Sequence, residues 1–244
     1  MARFEHYEDG CNALVVGASG GIGAAIARAL DDEDRVTRVL RTARGGGTGD
    51  LLALDLADDD SIAACAERVA ERTARLDLVV ICAGLLHDEA AGVMPEKRLA
   101  QLSRSALERS FQVNAFGPLL LAAALAPLLP RRTACVWATL SARVGSIGDN
   151  RLGGSYAYRG AKAAQNQFTR TLAIELGRRH KGLACVALHP GTVATDLSAP
   201  FRSAEARGVM TPDASAGHLL DVIDGLDARA SGRFLAWDGS EIPW

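Results

Sequence analysis

The chain has 244 residues, of which 48% are hydrophobic and 23% charged, and its formal net charge is −2 at pH 7. This composition is typical of a globular protein and gives no support to nucleic-acid binding, which usually calls for a clearly basic domain or face. It gives no support to binding an anionic membrane surface either, so we predict that neither nucleic acid nor membrane is a partner.

Short apolar runs alternate with longer helical patterns along the chain. The predicted strands are Ala13–Val16, Val36–Leu40, Leu51–Leu54, Leu78–Ile81, Ala134–Leu140, Ala184–Leu188 and Phe234–Trp237. The predicted helices are Ile22–Leu30, Ser61–Ala74, Ser103–Leu129 (broken near its prolines), Tyr156–Arg179 and Pro212–Leu226. This alternation is typical of an α/β fold with a parallel sheet and helices on both faces. The length fits a single domain over residues 1–244.

The cysteines and the N-terminus indicate a reducing compartment. The cysteines are odd in number and form no Cys-x-x-Cys pair, so neither a disulfide framework nor a metal site is predicted. The first ten residues contain acids and no apolar core, unlike a signal peptide. The longest apolar run, Ala115 to Pro130, is shorter than the ~18 residues of a membrane span and predicts a buried helix. We expect a cytoplasmic protein.

The first predicted strand leads into a glycine-rich turn and a helix, in the segment Leu14-Val15-Val16-Gly17-Ala18-Ser19-Gly20-Gly21-Ile22-Gly23. Glycines allow a tight turn and let backbone N–H groups approach a pyrophosphate, while the helix N-terminus presents unpaired donors. A flexible turn without a ligand is the alternative, but the flanking strand and helix favour dinucleotide binding. The cofactor-binding residues predicted here are Gly17, Ser19, Gly21, Ile22 and Gly23.

A tyrosine and a lysine, Tyr158 and Lys162, are spaced i, i+4 in a helical pattern and so share one helix face. A tyrosine pKa near ~10 is too high for ready proton exchange at neutral pH, and a nearby ammonium lowers it. The pair therefore predicts general acid–base chemistry, against the alternative of a solvated lysine beside a half-buried tyrosine. Tyr156 is the competing tyrosine, but its spacing from Lys162 is poorer.

The glycine spacing Gly-x-x-x-Gly-x-Gly followed by Tyr-x-x-x-Lys resembles the short-chain dehydrogenase/reductase family over nearly the whole chain. The resemblance implies a doubly wound Rossmann-type sheet and hydride transfer between a nicotinamide cofactor and a small carbonyl or alcohol substrate. Tyr158 would give the proton to the carbonyl oxygen, and Lys162 would lower the tyrosine pKa and hold the nicotinamide ribose. Asn114, in Asn-x-x-Gly, is similar to the family residue that anchors a proton-relay water.

Further segments resemble the family's cofactor contacts. Asp55 and Leu56 would contact the adenine, although Asp55 also fits a helix cap. Cys82-Ala83-Gly84 stands where the family usually has Asn-Ala-Gly, which puts the local strand support in doubt. Pro190, Val193 and Thr195 lie in a Pro-Gly segment whose members contact the nicotinamide carboxamide.

The end of the second strand bears on the choice of cofactor. An acid there would bind the ribose hydroxyls of NAD, whereas an arginine suits the 2′-phosphate of NADP. The segment Val39-Leu40-Arg41-Thr42-Ala43-Arg44 contains two arginines and no acid, and a guanidinium matches phosphate geometry. We predict NADP, held by Arg44 with Arg41 as a second candidate, and NAD as the alternative cofactor.

In the family pattern Ser-Ser-x-x-Gly the second serine holds the substrate carbonyl, and this chain departs from that pattern. Counting back from Gly145 puts Ala142 at the position of that serine and Ser141 one place early. Neighbouring strand residues point to opposite faces, so this offset is large. Ser141 is our candidate, and the alternatives are Ser146 or no serine at all.

The segment Ser141–Gly154 and the C-terminus resemble the C-factor-like branch of the family, which mixes carbonyl reductases with proteins named for cell-to-cell signalling. We predict an NADP(H)-dependent oxidoreductase, with a dinucleotide-binding signalling protein of little turnover as the alternative. An epimerase or dehydratase is disfavoured, because such relatives generally carry a larger C-terminal domain. The family resemblance also predicts a homodimer or homotetramer formed through the Ser103–Leu129 and Tyr156–Arg179 helices.

Overall fold

The computed structural model of the protein describes residues 3–7, 9–201 and 203–244. Its strands are β1 Cys11–Val16, β2 Val36–Ala43, β3 Leu51–Ala53, β4 Leu78–Ile81, β5 Cys135–Leu140, β6 Leu183–His189, β7 Thr192–Val193, β8 Val209–Met210 and β9 Phe234–Ala236. Seven of them form a parallel sheet in the order β3-β2-β1-β4-β5-β6-β9. These are the seven strands predicted from the sequence. The short parallel pair β7 and β8 was not predicted.

Helices cover both faces of the sheet: α1 Gly21–Asp31, α2 Asp59–Arg72, α3 Arg104–Phe111, α4 Gly117–Leu125, α5 Tyr156–Leu176 and α6 Pro212–Asp224. Ala13 and Val15 of β1 pack in one core with α1 and α6, whereas Leu14 and Val16 pack in a second core with α2 and α4. Successive residues of a strand face opposite ways, so a strand covered on both faces is apolar at every position. The predicted doubly wound α/β fold is confirmed.

The second helix, α2, begins with an aspartate cap. The Asp58 carboxylate accepts hydrogen bonds from the backbone N–H groups of Asp60, at 3.0 Å, and Ser61, at 3.3 Å. Asp59 and Asp60 lie in the first turn, where negative charge is favourable next to the positive end of the helix dipole.

The predicted long helix is broken, as expected, near a proline. A π-helical segment, Gln112–Phe116, joins α3 to α4 and places Pro118 at the start of α4. Pro118 has no N–H for the carbonyl four residues before it, and its ring would clash there. The wider turn therefore accommodates the proline and leaves the Asn114 carbonyl without its ordinary helical donor.

The helical run Arg104–Leu128 is long and apolar enough to cross a membrane by length and composition, contrary to the expectation from the shorter apolar run. Core helices pass the same test. Leu121 and Leu125 of this run are fully buried in the second core, which gives its apolar residues a place inside the fold.

The strand order fixes where a ligand fits. The chain passes from β1 to β2 on one side and returns to β4 on the other. Loops leaving β1 and β4 therefore diverge and open a crevice at the carboxyl end of the sheet, where ligands of such folds bind. The glycine-rich turn follows β1 and the Cys82-Ala83-Gly84 segment follows β4, so the topology brings both predicted segments to this crevice.

Candidate active site

A cavity of about 440 Å³ opens at this crevice. The predicted site residues line it, except Asn114, Val193 and the two alternative candidates Arg41 and Ser146. Its volume lies within the range of small-molecule and cofactor sites. The residues dispersed over the chain are thus brought together at one place.

The glycine turn is held tightly against its neighbours. Gly17 has φ +84°, and a Cβ there would lie 2.8 Å from the Ala83 nitrogen. A Cβ on Gly23 would lie 2.3 Å from the Gly17 carbonyl oxygen. Both positions therefore require glycine, one for its backbone conformation and both for the close approach.

Thr42, which sequence reasoning missed, anchors this turn to β2. Its buried hydroxyl accepts from the Gly17 N–H at 3.2 Å, and its carbonyl accepts from the Ala18 N–H at 2.9 Å. The signal available was a threonine one residue after Arg41 at the end of the second strand, next to the glycine turn in the sheet. The two hydrogen bonds of Thr42 fix the position of the turn relative to the end of β2.

The N-terminus of α1 suits a phosphate. Its cap residue Gly20 supplies no side-chain hydrogen bond, and no acid lies in the first turn. The first N–H groups of the helix therefore keep their donors and the positive dipole end for an anion. Together with the tight glycine turn, this fits the pyrophosphate of a dinucleotide.

The two arginines at the end of β2 differ in their surroundings. Arg41 pairs with Asp31 of α1 and also donates to the Val39 carbonyl at 2.9 Å. Arg44 is exposed, lines the cavity and has no ion pair within the described part of the chain. Arg44 therefore has its guanidinium available to an anionic ligand, and Arg41 does not.

The adenine side of the predicted site contains Asp55 and Leu56. The Asp55 carboxylate accepts from the Ala57 N–H at 2.9 Å, and its own N–H donates to the Ser61 hydroxyl at 2.9 Å. Asp55 thus structures the turn before α2, as the helix-cap interpretation allowed, while also lining the cavity. The Leu56 carbonyl packs against Gly117, where a Cβ would lie 2.2 Å away.

Tyr158 and Lys162 lie in the first two turns of α5 and both line the cavity. The Lys162 ammonium lies 5.8 Å from the centre of the Tyr158 ring. Tyr156 is 41% exposed and does not line the cavity. The geometry therefore selects Tyr158 over Tyr156 as the partner of Lys162.

Burial sets the protonation of this pair. It raises the pKa of the half-buried Tyr158 to about 12 and lowers the pKa of Lys162 to about 7. Burial disfavours the charged form of each group. In the protein alone this effect outweighs the expected lowering of the tyrosine pKa by the lysine.

Lys162 is held by two hydrogen bonds. Its Nζ donates to the Leu140 carbonyl at 2.8 Å and to the Gln165 Oε1 at 3.0 Å. An ammonium has three protons, so one remains for a ligand. Leu140 ends β5, and the bond therefore ties α5 to the strand that precedes Ser141.

Asn114 is fully buried in the π-helical segment and outside the cavity lining. Its amide accepts from the Leu85 N–H at 2.9 Å and donates to the Leu85 carbonyl at 2.7 Å. The side chain thus clamps the loop after Gly84. A Cβ built on Gly84 would lie 3.3 Å from the Asn114 Oδ1. Short π-helical segments within α-helices are frequent at functional sites.

The two candidate serines occupy different environments. Ser141 lines the cavity, and its hydroxyl lies 2.6 Å from the Asn166 Oδ1. The Ser146 hydroxyl donates to the Pro243 carbonyl at 2.5 Å and accepts from the Asp149 N–H at 3.0 Å. Ser146 and Ala142 do not line the cavity. Ser146 therefore fastens the C-terminal segment, whereas Ser141 lies at the site.

Cys82 supports the site through its backbone. Its N–H donates to the Val16 carbonyl at 2.8 Å, which joins the ends of β4 and β1. Burial raises the pKa of its thiol to about 12, so the thiolate is not formed at neutral pH. Cys82 is thus a small packing residue and not a nucleophile. No cluster of three or more potential metal-ligating side chains occurs in residues 3–7, 9–201 and 203–244.

Two loops meet over the open side of the cavity. The Thr195 methyl lies close enough to Gly21 that a Cβ there would be 2.9 Å away. His87, not predicted from the sequence, approaches the Asp196 carbonyl at 3.2 Å and lies edge-on to Phe201, with ring centres 5.6 Å apart. Val193, on β7, is buried beneath this region. These contacts join the loop after β4 to the loop after β6 and enclose the candidate substrate space.

Comparisons with known proteins agree with this arrangement. Residues 11–206 match the short chain dehydrogenase family. The chain is 34% identical over 236 residues, 95% of this chain and 98% of the other, to 1-hydroxy-2-glutathionyl-2-methyl-3-butene dehydrogenase of Rhodococcus. It is 39% identical over 146 residues, 60% of this chain and 83% of the other, to C-signal of Myxococcus xanthus. The NADPH-bound carbonyl reductase from chicken fatty liver has a similar structure, with a TM-score of 0.84, 28% identity and coverage of 96% and 94% of the two chains.

Proposed function

The chain belongs to the short-chain dehydrogenase family, and we propose that it transfers a hydride between NADP(H) and a small carbonyl or alcohol substrate. The observation that carries this proposal is the convergence of the glycine turn, Tyr158 and Lys162 on one cavity. When bound, the nicotinamide supplies or accepts the hydride. The protein's own residues bind, orient and handle the proton.

Tyr158 is the proton donor in the reducing direction. As the substrate carbonyl carbon gains a hydride, its oxygen takes the phenolic proton, which leaves the alcohol and a phenolate. Lys162, 5.8 Å from the ring centre, favours that phenolate when it is charged. Its third proton is available to a ribose hydroxyl. In the oxidising direction the same groups act in reverse, with Tyr158 as the base.

Ser141 is the donor that holds the substrate oxygen. Two observations support it over the alternatives: it lines the cavity, and the hydroxyl of Ser146 is committed to the C-terminal segment. Donors aimed at an oxygen that gains charge stabilise the transition state. Asn114 supports the site by clamping Leu85, and its carbonyl, freed by Pro118, suits a proton-relay water.

NADP is the preferred cofactor, with NAD as the alternative. Arg44 supports this choice, since it lines the cavity and has no ion pair among the described residues. Asp55 and Leu56 would contact the adenine, and Cys82, Ala83 and Gly84 are further proposed cofactor contacts. Pro190, Val193 and Thr195 would border the nicotinamide half.

A dinucleotide-binding signalling protein with little turnover is the second candidate. It is favoured by the relative named C-signal and by Ala142 at the position where the family's serine is expected. The intact pair of Tyr158 and Lys162 favours the enzyme. We further propose that the chain is one domain over residues 1–244, that it acts in the cytoplasm and that it forms a homodimer or homotetramer.

The test is NADPH consumption with a panel of aldehydes, ketones and quinones, measured for the protein and for Tyr158→Phe. We expect turnover with at least one carbonyl class and a loss of roughly 10²–10⁴-fold in the variant, as for removal of a general acid. NADPH binding should stay within a few-fold, because only the hydroxyl is removed. Binding of NADPH without turnover across the panel would favour the signalling candidate.

A further inference from the structure

We propose that the Asn166 side-chain amide donates a hydrogen bond to Ser141 and thereby turns the serine proton toward the substrate. Asn166 would then be a positioning residue of the site. This inference rests on the proposed reductase function, with Ser141 as the donor to the substrate oxygen. Asn166 lies one helical turn beyond Lys162 on α5, on the same face of the helix.

The two side chains are buried against each other. Ser141 is 4% and Asn166 3% exposed, and the Ser141 Oγ lies 2.6 Å from the Asn166 Oδ1. In this arrangement the hydroxyl donates to the amide oxygen. A serine hydroxyl has one proton, so a proton given to Asn166 is not available to a substrate.

The other half of the Asn166 amide does not fit its surroundings in this orientation. Its Nδ2 is buried and has no hydrogen-bond partner in the described part of the chain. Buried N–H groups are nearly always paired. A Cβ built on Gly145 would lie 3.2 Å from this nitrogen, so a Cα–H of Gly145 points toward an N–H group and not toward an acceptor.

Rotating the Asn166 amide by 180° releases the serine proton and gives the buried Nδ2 a partner. The Asn166 Nδ2 then donates to the Ser141 Oγ, and Oδ1 faces the Gly145 Cα–H as a weak acceptor. N–H···O bonds are slightly longer than O–H···O bonds, so the two side chains move apart by about 0.3 Å. The Ser141 hydroxyl becomes an acceptor from Asn166, and its own proton is free to point into the cavity.

The neighbouring Gln165 shows why this switch is particular to Asn166. Its Nε2 is also buried without a partner among the described residues. Its Oε1, however, accepts from the Lys162 ammonium at 3.0 Å, and an ammonium only donates. While Lys162 is charged, the Gln165 amide is therefore fixed. The partner of Asn166 is a hydroxyl, which donates or accepts.

A double-mutant cycle tests the inference. The four proteins are the wild type, Ser141→Ala, Asn166→Asp and the double variant, assayed with NADPH and a carbonyl that the wild type reduces. Aspartate is nearly isosteric with asparagine, but its carboxylate only accepts and would retain the serine proton. Its added charge near Lys162 is present in both proteins that carry Asn166→Asp, so it cancels in their ratio.

We expect Ser141→Ala to lower kcat roughly 10²-fold in the wild type, as for loss of one donor to a developing oxyanion. In the Asn166→Asp background the same change should alter kcat less than twofold, with KM and the NADPH Kd little changed. Equal losses in the two backgrounds would overturn the role of Asn166. No loss in the wild type would remove Ser141 as the donor, and the inference with it.

A second variant, Asn166→Leu, covers the case in which Asn166→Asp does not fold. Leucine neither accepts nor donates. If Asn166 donates in the wild type, Asn166→Leu lowers kcat several-fold because the hydroxyl loses its orientation. A kcat that rises would show instead that Asn166 had retained the proton. Loss of turnover in Tyr158→Phe but not in Ser141→Ala would leave the reductase function standing while this inference falls.

Discussion

Arg44 gives the sharpest prediction about the cofactor. Replacing it with alanine removes the one guanidinium at the end of β2 that has no ion pair among the described residues and lines the cavity. Arg41, three residues earlier, is the matched control, because its guanidinium is already paired with Asp31. Both substitutions remove one positive charge from the same strand end, so long-range electrostatics are similar in the two variants.

The size of the effect follows from the exposure of Arg44. Hydrogen bonds to charged groups contribute about 1.5–3 kcal/mol, and exposure to solvent favours the lower end. About 1.4 kcal/mol is a tenfold change in affinity. We therefore expect Arg44→Ala to weaken NADPH binding roughly tenfold and to leave NADH binding within about twofold. Arg41→Ala should change both affinities by less than about twofold, since a surface ion pair contributes little.

The assay is fluorescence titration of each protein with NADPH and with NADH at two salt concentrations. The wild-type preference for NADPH should shrink at the higher salt, because screening weakens an exposed charge–charge contact. Equal affinities of the wild type for the two cofactors would refute the assignment of NADP. A preference for NADPH that survives Arg44→Ala but is lost in Arg41→Ala would transfer the role to Arg41.

Two further predictions concern stability and assembly. Because the pKa of Lys162 is lowered to about 7, the unfolded chain binds a proton above that pH that the folded chain does not, and stability rises with pH. The lowered pKa of His189 acts at lower pH, so Lys162 dominates the difference between pH 7 and 8.5. In that range we expect the free energy of unfolding of the wild type to rise by up to about 1.4 kcal/mol per pH unit more than that of Lys162→Met. Denaturant titrations of the two proteins across this pH range measure the difference. Equal pH dependence of the two unfolding free energies would contradict the prediction. For assembly, light scattering at micromolar concentration should give the mass of a dimer or tetramer, whereas a monomer would count against the helix-mediated interface, on which Phe116 and Ile174 are exposed.

The sheet was predictable because its strands are covered on both faces. β4 has the same bounds, Leu78–Ile81, in the sequence prediction and in the structure, since its four consecutive apolar residues follow Asp77 and suit a strand covered on both faces. The pair β7 and β8 has two residues in each strand. So short a pattern has no periodicity to detect, and the pair forms only because the loops after β6 are brought together in three dimensions.

The candidate site was predictable where a residue type is required by the backbone or the chemistry. Gly17 and Gly23 are examples, because no side chain fits at either position. Thr42, His87 and Asn166 were not predicted, because each acts through a partner distant in sequence: Gly17, Asp196 and Ser141. A hydrogen bond across such separations leaves no periodic trace along the chain.

The protonation of Tyr158 and Lys162 depends on burial, which the spacing of the two residues does not reveal. The i, i+4 spacing places Tyr158 and Lys162 together, and from proximity alone the tyrosine pKa should fall. The structure adds desolvation, which moves both groups toward their neutral forms, to a pKa of about 12 for Tyr158 and about 7 for Lys162. At neutral pH the phenol therefore keeps its proton, which is the form that carbonyl reduction requires. The burial that opposes a phenolate thus keeps on Tyr158 the proton that the proposed reduction would transfer to a substrate oxygen.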